Sequence, residues 1–390
     1  MRLLVIGCGQ CGGRIANEFA RLNRRARSQR SIDIITGAFA VNTDAADLSG
    51  LSSIKPDYQH RILIGRQKTG GHGVGKINEL GAEIAKEDVD MLLEGVKTTR
   101  AFHETDAFLL CASAAGGTGS GSIPIFTRYL KELYSEKPVY NLIVLPFKNE
   151  EQVEQRTVYN TATCLKSVYM VADAIFMVDN QRYLRKDCAI QDNLSIINNR
   201  VVEPFFNLLS AGEETKSKHI GAKVLDAGDI IQTLMGWTAI GYSKIQIPLF
   251  NFPFGRSSDF RKKGSEAHRG IQVMESAIND VSVKFRASDA KRALYLISGS
   301  PEEMNMTLMN EIGNSLKRVA TDAIIRSGDY PRASRSIEIT VILSEIFSVS
   351  RVMEYFSKAI QYISSQRKSH GFEYEPTQMG EAFKDLPSLL

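Results

Sequence analysis

The amino-acid sequence predicts an α/β protein with an amino-terminal parallel-sheet domain, a long central helix and a carboxyl-terminal α+β domain. In the first half, short apolar runs alternate with glycine turns and amphipathic stretches, as in a parallel sheet covered by helices on both faces. A long apolar helical stretch follows. The second half has strand and helix patterns without that regular alternation, and 390 residues are more than one core usually supports.

Six candidate strands make up the first half. In parallel sheets ligands lie beyond the carboxyl ends of the strands, so the loops that follow these strands are where chemistry is expected. The candidate strands are Arg2–Gly7, Ile32–Asn42, Arg61–Gly65, Asp106–Ser113, Val139–Pro146 and Ala174–Asp179.

The central helix is predicted from about Asp192 to Ala211. Apolar residues cover most of its circumference, so we expect it to be buried between two domains. Pro204 lies inside it and should kink it or interrupt one backbone hydrogen bond. The resulting division is an amino-terminal domain at 1–190, the linking helix at 191–212, a carboxyl-terminal domain at 213–368 and a tail at 369–390.

The second half contains three predicted strands and three predicted helices. Pro301 followed by two glutamates is typical of a helix start. The predicted strands are Ser243–Leu249, Lys291–Ser298 and Ser336–Leu343, and the helices lie near Glu266–Lys284, Glu302–Ala323 and Ser350–Arg367.

Composition excludes several classes of protein. Hydrophobic residues make up 43% of the chain and charged residues 24%, which is ordinary for a globular protein. A net charge of +4 is too mild to indicate nucleic-acid binding, and the basic run Arg21–Arg30 is interpreted as a solvated helix end. No apolar run approaches the roughly 20 residues of a membrane helix. We expect a soluble, cytoplasmic protein that binds no nucleic acid and does not insert into membranes.

Five cysteines form an odd set, which argues against a closed disulfide framework. Cys8 and Cys11 form a C-x-x-C pair, which is compatible with redox chemistry or half of a metal site. Both lie within a glycine loop and no second close pair completes four ligands. We interpret them as small residues in a tight turn.

The first glycine loop, Gly7–Gly13, directly follows a strand. Glycines let the backbone approach a ligand closely, and the following helix offers N–H groups to phosphate. The loop also matches the G-x-G-x-x-G pattern of nicotinamide enzymes. That pattern needs an acidic residue about 20 positions on, and Asp44 lies considerably further away. An oxidoreductase therefore remains only an alternative.

The second glycine loop, Ala114–Gly121, also lies between a strand and a helix. Two such loops on neighbouring strands predict a cradle that holds a triphosphate from both sides. Backbone amides and the hydroxyls of Thr118 and Ser120 are the expected contacts. A third cluster, Gly70–Ile77, nearly spells a Walker A loop, but Ile77 stands where Ser or Thr must hold magnesium. We keep it as a third phosphate-side loop.

At this point the motifs resemble those of the tubulin/FtsZ superfamily. The run from Ala115 through Gly116, Gly117, Thr118, Gly119 and Ser120 to Gly121 resembles G-G-G-T-G-S-G. Gly9, Gln10, Cys11 and Gly12 resemble the G-Q-C-G of tubulin, and Asn42 to Asp44 resemble the N-T-D of FtsZ. The third loop, with Gly70, Gly71, His72 and Gly73, looks most like the archaeal CetZ branch, as do residues 385–390.

Further residue roles are implied by this resemblance. Glu150 matches an acid that contacts ribose. Asn180, together with Asn198 or Asn199, matches the asparagines that read guanine. Asp226 and Asp229 resemble the D-x-x-D that orients the attacking water, although two aspartates before a helix are also typical helix caps.

The resemblance implies a tubulin/FtsZ fold, with a Rossmann-like GTPase domain that binds GTP or GDP with Mg²⁺ on the phosphates. It also implies head-to-tail self-association into filaments, GTP hydrolysis that depends on assembly, and a role in cell shape. The alternatives are a nucleotide-gated structural protein with little hydrolysis, motivated by Val224 in place of an expected asparagine, and a cell-division protein of the FtsZ type.

Overall fold

The computed structural model describes residues 1–184, 190–214, 221, 223–247, 258–302, 304, 306–332, 334–367 and 386–390, with the backbone alone at 190–199, 258–268 and 366–367. Ten strands of the described chain form one sheet. They are β1 (Leu3–Cys8), β2 (Ile35–Asn42), β3 (Arg61–Leu63), β4 (Ala107–Ser113), β5 (Val139–Leu145), β6 (Ala174–Asp179), β7 (Gly236–Gln246), β8 (Ala290–Gly299), β9 (Ile324–Pro331) and β10 (Ser336–Ile346).

Helices cover both faces of this sheet. They are α1 (Gly9–Arg30), α2 (Ala45–Ser49), α3 (Arg66–Thr69), α4 (Asn78–Glu87), α5 (Val89–Lys97), α6 (Thr118–Leu133), α7 (Lys148–Val153), α8 (Gln155–Val171), α9 (Asn180–Tyr183), α10 (Ile190–Ser210), α11 (Ala227–Thr233), α12 (Ser258–Asn279), α13 (Met306–Val319) and α14 (Ser350–Arg367). None of the described helices is both long and apolar enough to cross a membrane.

The sheet order is β3-β2-β1-β4-β5-β6-β7-β10-β8-β9. The strands from β3 to β7 run parallel to their neighbours. Strand β10 runs antiparallel to both β7 and β8. The predicted α/β class is confirmed, and the six strands of the first half lie within a few residues of their predicted positions.

The second half departs from the sequence prediction at four elements. Strand β7 begins at Gly236 rather than Ser243, because its first residues pair with β6 before the strand continues alongside β10. Strand β9 was not predicted, because polar residues and a glycine, Arg326 to Asp329, interrupt its apolar pattern. Helix α13 begins at Met306, because the Met304 N–H closes a turn onto the Pro301 carbonyl at 3.4 Å.

Helix α12 also differs from its predicted span, Glu266–Lys284, because it ends at Asn279. The chain just beyond it pairs with the sheet. The Ser282 N–H donates to the Ile240 carbonyl at 2.7 Å, and the Ser282 hydroxyl donates to the Met177 carbonyl at 2.6 Å. Because the Ser282 N–H bonds to β7, it is not available for a helical hydrogen bond, and α12 ends before it.

The central helix α10 is buried, as its composition predicts. Val201, Val202, Phe205 and Phe206 are each at most 2% exposed. The Phe205 ring contacts Phe176 of β6 at 4.7 Å between centroids. The helix therefore packs against one face of the sheet, together with α1. Pro204 lies within it.

Helix α8 lies on the opposite face and is covered on all sides. Every residue from Thr157 to Val168 is buried except Tyr159. The sheet lies beneath the helix, and α14 and residues 386–390 cover its outer side. The Leu389 N–H donates to the Ser167 hydroxyl at 3.0 Å, and the Lys166 ammonium donates to the Leu386 carbonyl. Hydrogen bonds thus connect residues 386–390 to α8 of the first domain.

Candidate functional site

The predicted glycine loops meet at one edge of the sheet, at the carboxyl ends of the parallel strands. Gly7 of β1 lies opposite Cys111 of β4, and Cys8 lies opposite Val41 of β2. The segments that follow these strands are therefore neighbours in space, as the strand pattern predicts.

The first glycine segment differs from its predicted form, because α1 begins at Gly9 and not after Gly13. Gly9, Gln10, Cys11 and Gly12 form the first turn of α1. The N–H groups of a first helical turn have no partner within the helix, and the helix dipole is positive there. This turn is therefore suited to an anion.

Several of the glycines are required by packing within the protein. A Cβ atom on Gly12 would lie 1.9 Å from the Cys111 carbonyl oxygen, and one on Gly9 would lie 2.9 Å from the Gly119 nitrogen. At Gly116 no described atom lies within 4 Å of such a Cβ. Gly9 thus allows the first loop to touch the second and Gly12 allows α1 to pack against β4, whereas Gly116 borders open space.

The hydroxyls of the second loop have partners inside the protein. The Ser120 hydroxyl donates to the Gly116 carbonyl, and the Thr118 and Thr43 hydroxyls lie 2.6 Å apart. Both Thr118 and Ser120 were predicted to contact a ligand through their hydroxyls. Each hydroxyl can still accept a further hydrogen bond, so the predicted contacts stay predictions. The backbone N–H groups of Ala115–Gly119, at the start of α6, are additional candidates for ligand contacts.

The third loop packs against the Asn42–Asp44 segment. Gly70, Gly71 and Gly73 all have positive φ, at 63°, 85° and 81°. His72 and Asp44 form an isolated antiparallel bridge. The Gly73 N–H also donates to the Thr43 carbonyl at 3.1 Å. The glycines thus shape this loop so that it closes over the ends of β2 and β4.

Asp47 is a site residue that the sequence reading missed. Its carboxylate accepts from the Gln10 amide at 2.6 Å and from the Asn42 amide at 3.0 Å. Asp44 accepts from the Ala46 N–H at 2.9 Å and from the Asp47 N–H, and so caps α2. The signal was available in N-T-D-A-A-D, where an N-cap aspartate is followed three residues later by an acid.

Asn160 of α8 is a second missed residue. It is fully buried, and its amide donates to the carbonyls of Lys76 at 2.8 Å, Ala115 at 3.2 Å and Gly116 at 3.2 Å. It therefore fastens the second loop to the third. A polar residue within a helix buried on all sides needs partners of this kind, but the sequence does not say where they lie.

Asn180, the predicted guanine-reading residue, begins α9 at the end of β6. It is 7% exposed, and its Oδ1 atom has no hydrogen-bond partner among the described residues. Such a buried acceptor calls for a donor from a ligand or water. Asp179 caps α9 by accepting from the Gln181 N–H at 3.1 Å.

Glu150 is exposed on α7 and accepts from the Phe147 N–H at 3.2 Å. It lies close enough to Cys11 for its charge to affect that thiol. Asn198 and Asn199 belong to α10, but their side chains lie outside the described residues.

The two cysteines of the C-x-x-C pair are free thiols. Burial raises the pKa of Cys8 to about 12, and burial also raises the pKa of Cys11 to about 12. Thiols of this kind are unreactive at neutral pH. Nor do the described residues contain a group of three His, Cys, Asp or Glu side chains able to hold a metal ion.

Asp226 and Asp229 lie at the opposite edge of the sheet. Asp226 is exposed and caps α11 by accepting from the Asp229 N–H at 2.7 Å. Asp229 pairs with Arg326 at 3.3 Å. Shortly after α11, the Gly236 N–H donates to the carbonyl of Asp173, just before the amino end of β6. The six residues of β6 alone separate the edges by roughly 20 Å, so these acids do not face the glycine loops of their own chain.

Comparison with known proteins agrees with this arrangement. Residues 2–186 match the model of the Tubulin/FtsZ family GTPase domain, and residues 187–361 match the carboxyl-terminal domain of tubulin-like CetZ. The chain belongs to the CetZ family of the tubulin/FtsZ superfamily. It is 31% identical to CetZ1 of Haloferax volcanii, over 93% of this chain and 92% of that protein. It is 30% identical to CetZ of Pyrococcus abyssi, over 98% of this chain and 94% of that protein.

Two solved CetZ structures share the fold. The GDP-bound monomer of CetZ1 from Haloferax volcanii has a TM-score of 0.79 and 29% identity, covering 93% of this chain and 100% of that one. The GTPγS-bound protofilament of CetZ2 from the same organism has a TM-score of 0.78 and 27% identity, covering 94% and 100%. The predicted superfamily and the CetZ branch are therefore both confirmed.

Proposed function

We propose that this protein binds GTP and GDP, assembles head-to-tail into protofilaments and hydrolyses GTP at the interfaces between subunits. The observation that carries the proposal is the position of the candidate site residues at two opposite edges of one sheet. A nucleotide in the glycine loops is out of reach of Asp226 and Asp229 in its own chain. A second subunit, stacked in the same orientation, brings its aspartates to that nucleotide. Repeating such a contact generates a filament.

Features of the carboxyl edge suit a guanine nucleotide. The unpartnered Oδ1 of Asn180 can accept from the N–H groups of guanine, which adenine lacks at the equivalent ring position. The first turns of α1 and α6 offer N–H groups to phosphates, and the open space beside Gly116 leaves room for them. One carboxylate oxygen of Glu150, Oε2, accepts from the Phe147 N–H, and the other can accept from ribose. Bound Mg²⁺ would neutralise part of the phosphate charge.

Phosphoryl transfer depends mainly on positioning and on charge stabilisation. In the proposed interface, Asp226 and Asp229 orient the attacking water. One carboxylate oxygen of Asp226 is engaged in capping α11, and Arg326 holds Asp229 in place. The same contacts also favour the second candidate, a nucleotide-gated structural protein that hydrolyses little GTP, since both aspartates already have structural partners.

The deciding experiment is GTP turnover against protein concentration for the wild type, Asp226→Ala and the control Asp322→Ala. Asp322 is an exposed acid elsewhere in the carboxyl-terminal domain, 65% exposed at its side chain. We expect turnover per subunit to rise above a threshold concentration for the wild type and the control. Asp226→Ala should bind GTP but turn over about 100-fold more slowly, as when a key positioning group is removed.

A mixing experiment tests whether the site is shared. Asp226→Ala retains the nucleotide loops, and Asn180→Ala retains the aspartates. If each variant alone is slow, equal mixtures should turn over faster than either, because the Asn180→Ala subunit supplies aspartates to GTP on Asp226→Ala. Tight GTP binding without concentration-dependent turnover in the wild type would instead favour the structural protein.

The cellular task is proposed to be control of cell shape, on the strength of membership of the CetZ family. Deleting the gene in its host and recording cell outline and septum position distinguishes this from a division role. Altered outline with normal septa supports the proposal, whereas filamentous cells without septa would indicate the FtsZ type of function.

A further inference from the structure

A buried ionic cluster joins α14 to the side of the nucleotide site that is proposed to hold guanine and ribose. Arg351, the second residue of α14, is only 7% exposed. Its guanidinium donates to Glu151 of α7 and to Glu354 at 2.8 Å. Its Nε atom lies 3.8 Å from an Asp179 carboxylate oxygen. Arg351 thus lies between two acids of the first domain, one on α7 and one at the end of β6.

These two acids are the immediate chain neighbours of the proposed nucleotide contacts. Glu151 follows Glu150, and Asp179 precedes Asn180. Asp179 also caps α9, whose first residue is Asn180. Any shift of Asp179 or Glu151 therefore moves the backbone that carries the ribose-side carboxylate and the guanine-side amide.

The two acids need the positive charge of Arg351 because both of their carboxylates are buried. The side chains of Glu151 and Asp179 are 5% and 10% exposed. Burial raises the pKa of Asp179, and the positive charge of Arg351 opposes that rise. Removing one member of a buried ion pair leaves a charge uncompensated, which is strongly destabilising. Without Arg351, the two carboxylates would have to separate or turn toward solvent.

Two further residues of α14 contact Glu151. The Tyr355 hydroxyl donates to Glu151 at 2.7 Å. Lys358 lies 3.3 Å from Glu151, but its side chain is 42% exposed. Ion pairs of solvent-exposed lysines contribute little. Lys358 is therefore a matched control, because it is a second cation on the same carboxylate.

We propose that Arg351 is a positioning residue of the nucleotide site, which aligns Asn180 through Asp179 and Glu150 through Glu151. This makes α14, a helix of the carboxyl-terminal domain, a determinant of guanine affinity and selectivity. The assignment rests on the proposed function, because it assumes that a guanine nucleotide binds at this edge.

The test measures dissociation constants for GDP and for inosine diphosphate, which lacks the 2-amino group of guanine, below the concentration at which the protein assembles. We expect Arg351→Met to weaken GDP binding about tenfold and to reduce the preference for GDP over inosine diphosphate. Lys358→Met should stay within about twofold of the wild type. Arg351→Lys keeps the charge but loses the planar fork, and should lie between the two.

A double variant separates positioning from simple charge balance. Glu151→Gln combined with Arg351→Met removes both charges of the closest pair and leaves Asp179 as the acid without Arg351, so part of the lost stability should return. If GDP affinity stays low while Tm recovers, Arg351 positions the site. If affinity returns with Tm, Arg351 only compensates charge and the assignment is overturned.

These outcomes remain distinct from failure of the proposed function. A wild-type protein that does not bind GDP would overturn that function and this assignment together. Normal wild-type binding with unchanged affinity in folded Arg351→Met would overturn the role of Arg351 alone. If Arg351→Met does not fold, GDP affinity and Tm are measured in Arg351→Lys and in the double variant, and the results are interpreted in the same way.

Discussion

Three glycine loops and the Asn42–Asp44 segment meet at the carboxyl edge of the parallel strands. Hydrogen bonds of Asp47 and Asn160 and closely packed glycines connect them. At the amino edge, Asp226 is exposed, and Asp229 has one ion pair, with Arg326, among the residues that the structure describes. The difference indicates that one half of the proposed active site is rigid within the monomer. The other half is a sparse surface, whose remaining contacts are proposed to come from a neighbouring subunit. Preorganised groups are what phosphoryl transfer needs, and in the proposed filament they are divided between two copies.

The largest expected effect comes from a methyl group at Gly12. A Cβ there would lie 1.9 Å from the Cys111 carbonyl oxygen, so Gly12→Ala must displace α1 from β4. We expect a loss of about 4 kcal/mol in the free energy of unfolding, at the severe end for single substitutions. The matched control is Gly116→Ala, where the methyl meets open space.

Chemical denaturation and GDP binding measure the two glycine variants together. Gly116→Ala should unfold within about 0.5 kcal/mol of the wild type but bind GDP more weakly, because its methyl projects where phosphates are proposed to lie. Equal stability of Gly12→Ala and Gly116→Ala would contradict the distinction between packing glycines and site glycines.

This distinction between packing glycines and site glycines could not be predicted from the sequence. Glycine motifs correctly predicted which segments meet at the carboxyl edge, because glycines between strands and helices are rare without a reason. They could not tell a glycine that touches Cys111 from one that faces a ligand, since both look the same in a motif. That difference depends on the spacing between loops, which only the folded chain defines.

The hydrogen-bond partners of buried polar side chains could not be predicted from the sequence. Thr118 and Ser120 are predicted as ligand contacts from their place in the motif, but the motif does not reveal that their hydroxyls also bond to Thr43 and Gly116. Asn160 was missed because its partners are 84 and 45 residues away in the chain. Long-range hydrogen bonds leave no local periodicity, whereas the apolar strands and α14 do, and those elements were predicted closely.

An intermediate effect is expected at Asn160. Asn160→Ala removes the amide that joins the Lys76 and Ala115 carbonyls and leaves them buried without that donor. The loss should be about 2 kcal/mol in the free energy of unfolding. The control is Asn141→Ala, equally buried, whose amide donates to Thr127 at 2.8 Å between β5 and α6.

Both asparagine variants should lose stability, but only one touches the loops. We expect GDP affinity to fall several-fold in Asn160→Ala and to remain near the wild-type value in Asn141→Ala. If both variants bind GDP equally well, the carboxyl edge does not depend on Asn160 for its shape, and its rigidity must come from the glycine packing alone.

The smallest effect is expected far from both edges, where residues 386–390 cover α8. Leu389 is 6% exposed and its N–H donates to Ser167, whereas its neighbour Ser388 is exposed. Leu389→Ala should lower the free energy of unfolding by about 1.5 kcal/mol, as expected for apolar area returned to water, and Ser388→Ala should have no measurable effect. GDP affinity should be unchanged in both, because α8 contacts the loops through Asn160, at the other end of the helix from Ser167. A loss of GDP affinity in Leu389→Ala would mean that the tail acts on the site along α8, and the carboxyl edge would then depend on the second half of the chain at two places rather than at Arg351 alone.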